Sequence, residues 1–337
     1  MTVNSIGDQA RAFVLKAATA QLKTTLDVLT QEVSSGEVAD LGMRLQGNSR
    51  TLNAIEARMK MLDQYQRNAA EAASVTGTMQ DVLGAIHAST SQLALAIQTE
   101  PSAPTSQTLM VRADEISQAF SATVQGLNTE IAGRHLFSGL ATDHSPLISA
   151  DEILDHLGVA TAGLSTAQDI AAAVSDWFDA PAASGFVGLA YLGTSGGVRQ
   201  IEVAEGHAIG VATTAADPAI REVMKGLATA ALVSRGVLAG DDSAQRQLMA
   251  TGAQILIRNE SSLLSATARI GLQQKIVADS QTTNASALSV LTIARNDLRQ
   301  ADPYQTSVAL THTQNQLDAL YTVTARLSKL QLVEYLR

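Results

Sequence analysis

The chain has 337 residues, a formal net charge of −9 at pH 7 and no cysteine. This length allows two or three domains with a sizeable core. The acidic charge argues against a nucleic-acid partner, since phosphates require a basic surface. The missing cysteine excludes a disulfide framework, thiolate chemistry and a cysteine-based zinc site.

The N-terminal residues lack the apolar core of a secretory signal. No run approaches the roughly 18 apolar residues of a membrane span. Aromatic residues make up only 3% of the chain, while alanine, which favours close helix packing, is abundant. The sequence therefore predicts a helical protein with no membrane partner, either cytoplasmic or exported without a cleaved signal.

The first predicted element is an amphipathic helix that ends at Ser34-Ser35-Gly36. Gly36 suits the left-handed position that follows many helices. The apolar side chains of this helix share one face, at intervals of seven, four, three and four residues. They are Leu15, Leu22, Leu26, Leu29 and Val33.

Two further helices are predicted before the middle of the chain. One runs from about Ser49 to Thr99 and stops before Pro101, which cannot continue a helix. The next covers about Thr105–His135. The apolar stripe of the first of these helices is weakened in its middle by small and polar residues: Gln66, Ala69 and Ala73.

Between about Gly139 and Asp217 the long helices give way to short elements separated by glycines. Short helices are predicted at Ala150–Leu157 and Thr166–Phe178. Three short strands are predicted from short apolar runs bounded by turn residues. They are Phe186–Leu192, Val198–Val203 and His207–Ala212.

Three helices are predicted after this insert. Asp217-Pro218 and Asp302-Pro303 each combine a capping side chain with a proline at the first helical position, and Ser243 is expected to cap the longest helix. On that helix seven positions repeat every seven residues on one face, and six of them are apolar. They are Leu256, Leu263, Ile270, Val277, Asn284, Leu291 and Leu298.

This stripe is too narrow to drive folding alone, so the helix needs partner helices. Asn284 either fixes the register of a helix bundle, as buried asparagines do in coiled coils, or lies exposed where the stripe drifts from the core.

The predicted fold class is mainly α, with long antiparallel helical rods or a coiled-coil bundle formed from both termini and a small mixed α/β insert in the middle. The predicted domains are a terminal helical assembly region, 1–45 and 301–337; a central long-helix bundle, 46–139 and 218–300; and an inserted domain, 140–217. The candidate functional residues are the leucines of the first and last helices: Leu22, Leu26, Leu29, Leu320, Leu327 and Leu330.

No catalytic residue, cofactor or metal is predicted, and the chain is expected not to be an enzyme. Glu152, Asp155 and His156 could share one helix face, but such a trio is more often a solvated surface than a metal site. Thr194–Gly197 lacks the frame of a phosphate-binding loop and is more typical of a hairpin turn.

Three motifs resemble those of bacterial flagellins and, more closely, of the flagellin-like hook–filament junction proteins. Val33-Ser34-Ser35-Gly36 is similar to the family's L-S-S-G after its first helix. Residues 62–68, LDQYQRN, resemble its L-x-Q-Y-x-R-N. Residues 128–139, NTEIAGRHLFSG, closely match its N-x-x-x-x-G-R-Y-L-F-S-G before the inserted domain. In this last motif we expect His135 to bind backbone carbonyls and Phe137 to lie in the core.

The resemblance implies a structural subunit of the bacterial flagellum, located outside the cell and exported through the flagellar type III apparatus. Its implied partners are flagellin, the neighbouring hook-associated protein, copies of itself and an export chaperone. The closing Tyr335-Leu336-Arg337 is similar to flagellin's terminal L-L-R, so a filament subunit remains an alternative. A coiled-coil adaptor outside the flagellum is the alternative from another class.

Overall fold

The computed structural model describes residues 3–99, 105–181, 184–194 and 196–335, with side chains from 10 to 327. The described residues divide into two units, Met1–Leu62 with Ser286–Arg337, and Asp63–Ala285. The helices are α1 (Val3–Ser35), α2 (Leu41–Arg44), α3 (Arg50–Gln98), α4 (Ser106–Leu127), α5 (Ala150–Ala160), α6 (Ala167–Asp179), α7 (Pro218–Ala231), α8 (Asp242–Arg299) and α9 (Pro303–Tyr335). The strands form two antiparallel hairpins, β1 (Glu130–Ile131) with β2 (Arg134–His135) and β3 (Arg199–Ala204) with β4 (His207–Val211). The predicted fold class is confirmed.

In the first unit the two terminal helices, α1 and α9, lie antiparallel. Near their shared base, the Ala301 amide donates to the Gly36 carbonyl at 3.0 Å. Farther along, the Lys23 ammonium lies 5.9 Å from the centre of the Tyr321 ring. Gly36 has a φ of +72°, which confirms its predicted place after α1.

The base of this terminal helix pair is held by one arginine. The Arg299 carbonyl accepts from the Val38 amide at 2.8 Å. The Arg299 guanidinium donates to Glu37 at 2.9 Å and to Glu56 at 3.1 Å. The hydrogen bond to Glu37, with that carboxylate's charge, raises the pKa of Arg299. The ends of α1, α8 and α9 and the start of α3 are therefore tied together.

The core of the second unit is built around α7, whose side chains from Val223 onward are buried. Helices α4 and α8 pack against it, and the backbones of α7 and α8 approach closely at two glycines. A Cβ added to Gly252 would lie 2.6 Å from the Gly226 carbonyl oxygen. Phe137 and four aromatic residues of the insert join the same apolar cluster: Trp177, Phe178, Phe186 and Tyr191.

The β3–β4 hairpin packs on the part of α3 where small residues weaken the apolar stripe. Ala69 and Ala72 are fully buried there against Ile201, Val203 and Ile209. Large side chains at these two positions would leave no room for the hairpin. The interruption of the apolar stripe of α3 is thus the surface on which the β3–β4 hairpin packs. Helical periodicity alone does not predict this contact.

The heptad stripe of α8 also contacts the β3–β4 hairpin. Its positions from Leu256 to Asn284 are buried at every seventh residue, as predicted. Asn284 is 2% exposed, and its side-chain amide donates to the Val203 carbonyl at 2.8 Å. The exposed alternative is therefore wrong, and the buried asparagine binds a strand rather than a partner helix.

The structure corrects three details of the predicted elements. The third long helix ends at Leu127, because β1 and β2 follow it. Phe186–Ala190 is a π-helix rather than a strand. Asp241, not Ser243, caps α8, since its carboxylate accepts from the Ser243 amide at 3.1 Å and from the Ala244 amide at 2.9 Å. The caps at Asp217 and Asp302 are confirmed. The predicted domain limits remain a prediction.

We predict that Asn284→Ala lowers the free energy of unfolding by about 1–3 kcal/mol, because the buried Val203 carbonyl loses its donor. Chemical denaturation followed by circular dichroism measures this change. Asn296→Ala, at an exposed position of the same helix, is the matched control and should change stability by less than about 0.5 kcal/mol. Equal losses in both variants would contradict the assigned role of Asn284.

Candidate assembly site

The predicted assembly leucines lie on the terminal helix pair. Leu22, Leu26 and Leu29 are half-buried on α1, and Leu320 is half-buried on α9. Leu327 is 38% exposed. The Leu330 side chain lies outside the described side chains. The structure thus places the described leucines along α1 and α9, and their role in assembly remains a prediction.

Burial along this pair is incomplete. Among the described side chains of α1, residues 10–35, none is fully buried. On α9, residues 303–327, the buried side chains are those of Thr306 and Thr313. The Thr306 hydroxyl donates to the carbonyl of Asp302, just before α9, and the Thr313 hydroxyl donates to the carbonyl of Ala309. The pair therefore holds a half-buried leucine seam without an enclosed apolar core.

The pair also presents large apolar side chains to solvent that the sequence stripe did not include. Phe13 is 74% exposed, and Val14, Tyr304 and Val308 are each about half exposed or more. Val14, Leu15 and Leu327 line one shallow apolar cleft. Periodicity missed these two residues because Val14 lies about 90° and Phe13 about 170° around α1 from the leucine stripe.

The segment Asn128–Gly139, here called the closing segment, follows α4 in the second unit. The Asn128 side chain bonds both backbone groups of Leu147, donating to its carbonyl at 3.0 Å and accepting from its amide at 2.9 Å. Ala132 and Gly133 have φ values of +50° and +74°, so they form the two-residue turn between β1 and β2. The first residues of the motif therefore end α4 and fix the start of the insert.

The second half of the closing segment is also held by contacts with the rest of the second unit. The His135 ring nitrogen Nδ1 lies 2.9 Å from the Asn128 carbonyl, and Phe137 is fully buried, as predicted for both. Gly139 has a φ of +71°, and a Cβ there would lie 2.6 Å from the Thr194 carbonyl oxygen. Only glycine suits both the backbone conformation and this contact.

The motif on α3, residues 62–68, contacts the β3–β4 hairpin. The Tyr65 hydroxyl donates to the Glu202 carboxylate at 3.3 Å, and the Asn68 amide donates to the Glu202 carbonyl at 2.8 Å. Both motifs of the second unit thus hold hairpins or loops to long helices. Their role in this structure is to position elements of the fold.

Glu152, Asp155 and His156, which could share one helix face as metal ligands, each interact with a nearby side chain. Glu152 forms a capping box with Ser149, whose hydroxyl hydrogen bond lowers the pKa of this carboxyl. Asp155 accepts from Arg235 at 3.2 Å, and the His156 ring stacks on Trp177 with centroids 6.4 Å apart. In the described part of the chain, no three acidic or histidine side chains are grouped to hold a metal ion.

No described helix is both long and apolar enough to cross a membrane. No protein-family model and no curated protein matches the sequence. Among solved structures, the fold is similar to that of a putative flagellar hook-associated protein from Vibrio parahaemolyticus. That similarity covers 75% of this chain and 99% of the other, with a TM-score of 0.52 and 16% identity.

The predicted resemblance is confirmed at the level of the fold. The chain is also similar to FlgL from Bacillus cereus, with 16% identity over 71% of this chain and 96% of that one and a TM-score of 0.49. At 16% identity, the likeness to the Vibrio protein is a likeness of fold.

We predict that Gly139→Ala destabilises the second unit more than Gly163→Ala does. Both glycines have positive φ, but nothing lies within 4 Å of a Cβ at Gly163. The backbone strain should cost about 1–2 kcal/mol at either position. The contact with Thr194 should add about 1–3 kcal/mol at Gly139 alone. Thermal and chemical unfolding of the two variants measure the difference, and equal destabilisation would contradict the assigned contact.

Proposed function

We propose that this chain is a structural subunit of the bacterial flagellum that joins hook-associated proteins to the flagellin filament. The incomplete burial of the terminal helix pair is the observation that carries this proposal. The fold similarity to a putative hook-associated protein and the three sequence motifs support it. The proposed function requires no catalytic residue, cofactor or metal.

The physical reason is the balance between chain ordering and burial. Fixing the backbone costs about 1–2 kcal/mol per residue. Burying apolar surface returns about 25 cal/mol per Å². Half-buried leucines on two long helices remove too little surface from water to offset this cost, so neighbouring subunits must supply the rest.

The proposed assembly region is 1–45 with 301–337, the central bundle is 46–139 with 218–300, and the insert is 140–217. In this arrangement the terminal helices of one subunit pack against different surfaces of the next. Such a head-to-side interface continues along an assembly instead of closing on itself. The proposed partners are flagellin, the neighbouring hook-associated protein and copies of this chain.

We further propose export through the flagellar type III apparatus with the help of an export chaperone, and a final location outside the cell. Two other functions remain as competitors. A filament subunit would use the same terminal helices to contact only its own copies. A coiled-coil adaptor would use them within a stable monomer.

We predict that Leu327→Asp abolishes filament attachment and motility while changing the stability of the isolated monomer by less than about 1 kcal/mol. Leu327 is already 38% exposed in the single chain, so the charge disturbs little there. In an assembly that encloses this face, the unpaired charge would be buried at a large cost. Swimming assays and electron microscopy of mutant cells measure the first effect, and chemical denaturation of purified protein measures the second.

Ala325→Asp is the control, because it adds the same charge at an exposed position about 200° around α9. A junction subunit predicts that Leu327→Asp cells keep their hooks and release flagellin monomers into the medium. A filament subunit predicts junction proteins on the hooks and no released polymer. An adaptor outside the flagellum predicts normal hooks, filaments and swimming, because it takes no part in that assembly. Normal swimming of Leu327→Asp cells would contradict both flagellar functions.

A further inference from the structure

The second unit contains a cleft that the proposed function does not use. It is bounded by α3, by the β1–β2 hairpin and by the β3–β4 hairpin, and its volume is about 350 Å³. This lies near the lower end of the roughly 300–1,000 Å³ of small-molecule sites. Its walls include five aliphatic side chains: Val75, Ile131, Leu136, Ile201 and Val211. We call it the hairpin cleft.

One end of the hairpin cleft carries two guanidinium groups and a single carboxylate. Arg134 donates to Glu71 Oε1 at 2.9 Å, and Arg199 donates to the same oxygen. Among the described residues, neither guanidinium has another hydrogen-bond or ion-pair partner. An arginine has five N–H donors, so both retain donors for a ligand. This end of the cleft has a net charge of +1.

The chemistry of the cleft selects one class of ligand. The aliphatic walls favour an apolar chain, and the arginine forks favour a planar carboxylate. Glu71 disfavours a compact dianion such as phosphate, because it leaves only one net positive charge. A neutral chain of the same length forfeits the charge-assisted hydrogen bonds.

We propose that the hairpin cleft binds a small amphipathic monocarboxylate, with an acyl or aryl group against the aliphatic walls and its carboxylate on Arg134 and Arg199. This inference is independent of the assembly proposed above, because every residue that lines the cleft belongs to the second unit. A free small molecule is the proposed occupant.

The test is titration of the full chain with octanoate by isothermal calorimetry and ligand-observed NMR. Its eight-carbon chain tests the aliphatic walls and its carboxylate tests the arginines. We expect octanoate to bind at least about tenfold more tightly than 1-octanol, the fold-change for losing one charge-assisted hydrogen bond. Inorganic phosphate and octylamine should bind more weakly still.

Arg199→Gln should weaken octanoate binding by about tenfold or more. Arg235→Gln is the matched control, because Arg235 also pairs with carboxylates, those of Asp151 and Asp155, but lies outside the cleft. Its octanoate affinity should equal that of the unaltered chain. Circular dichroism and thermal unfolding verify that both variants fold.

Ser74→Trp provides a second variant that keeps both arginines. Ser74 is exposed on α3 and lines the cleft, so an indole there blocks the cleft without entering the core. Octanoate binding should be lost. Equal affinities for octanoate and octanol, no measurable octanoate binding, or undiminished binding in Arg199→Gln or Ser74→Trp would each overturn the proposal.

Discussion

The half-buried seam between α1 and α9 is the constraint on which the proposed function depends. Two helices in contact can enclose only a narrow stripe, because each presents most of its circumference to solvent. Here the seam leaves every described α1 side chain at least partly exposed. Val14 and Leu327 extend the apolar surface beyond the seam, and Phe13 is exposed on the opposite side of α1. In the proposed function, helices of neighbouring subunits cover this surface.

The second unit covers the apolar faces of its helices with other elements of the same chain. Its helix α7 is enclosed by α4 and α8, and glycines at the α7–α8 contact let the backbones approach closely. Its hairpins then cover surfaces that the long helices leave open. Ala69 and Ala72 pack against β3 and β4, and the Asn284 side-chain amide donates a hydrogen bond to the Val203 carbonyl of β3. This unit buries a continuous apolar cluster, which the first unit's terminal helix pair lacks.

Much of this fold could be predicted from local sequence signals. The helix caps at Asp217 and Asp302, the stop at Gly36 and the heptad burial from Leu256 to Asn284 all follow from short-range chemistry. Long-range pairing could not be predicted in this way. Glu71 has the appearance of an ordinary solvated charge on a helix, yet it joins Arg134 and Arg199 from two different hairpins. Phe186–Ala190 has the composition of a strand, but it forms a π-helix whose Phe186 ring stacks on Phe178.

Amide hydrogen exchange on the monomer, compared with the same chain in assembled flagella, tests the central claim most directly. In the dilute monomer, the amides of α1 and α9 should exchange orders of magnitude faster than those of α7, because local opening there exposes little additional apolar surface. In the assembled state the terminal amides should become protected to a similar degree as α7. Terminal helices already as protected as α7 in the monomer, with no change on assembly, would contradict the claim that neighbouring subunits complete their burial.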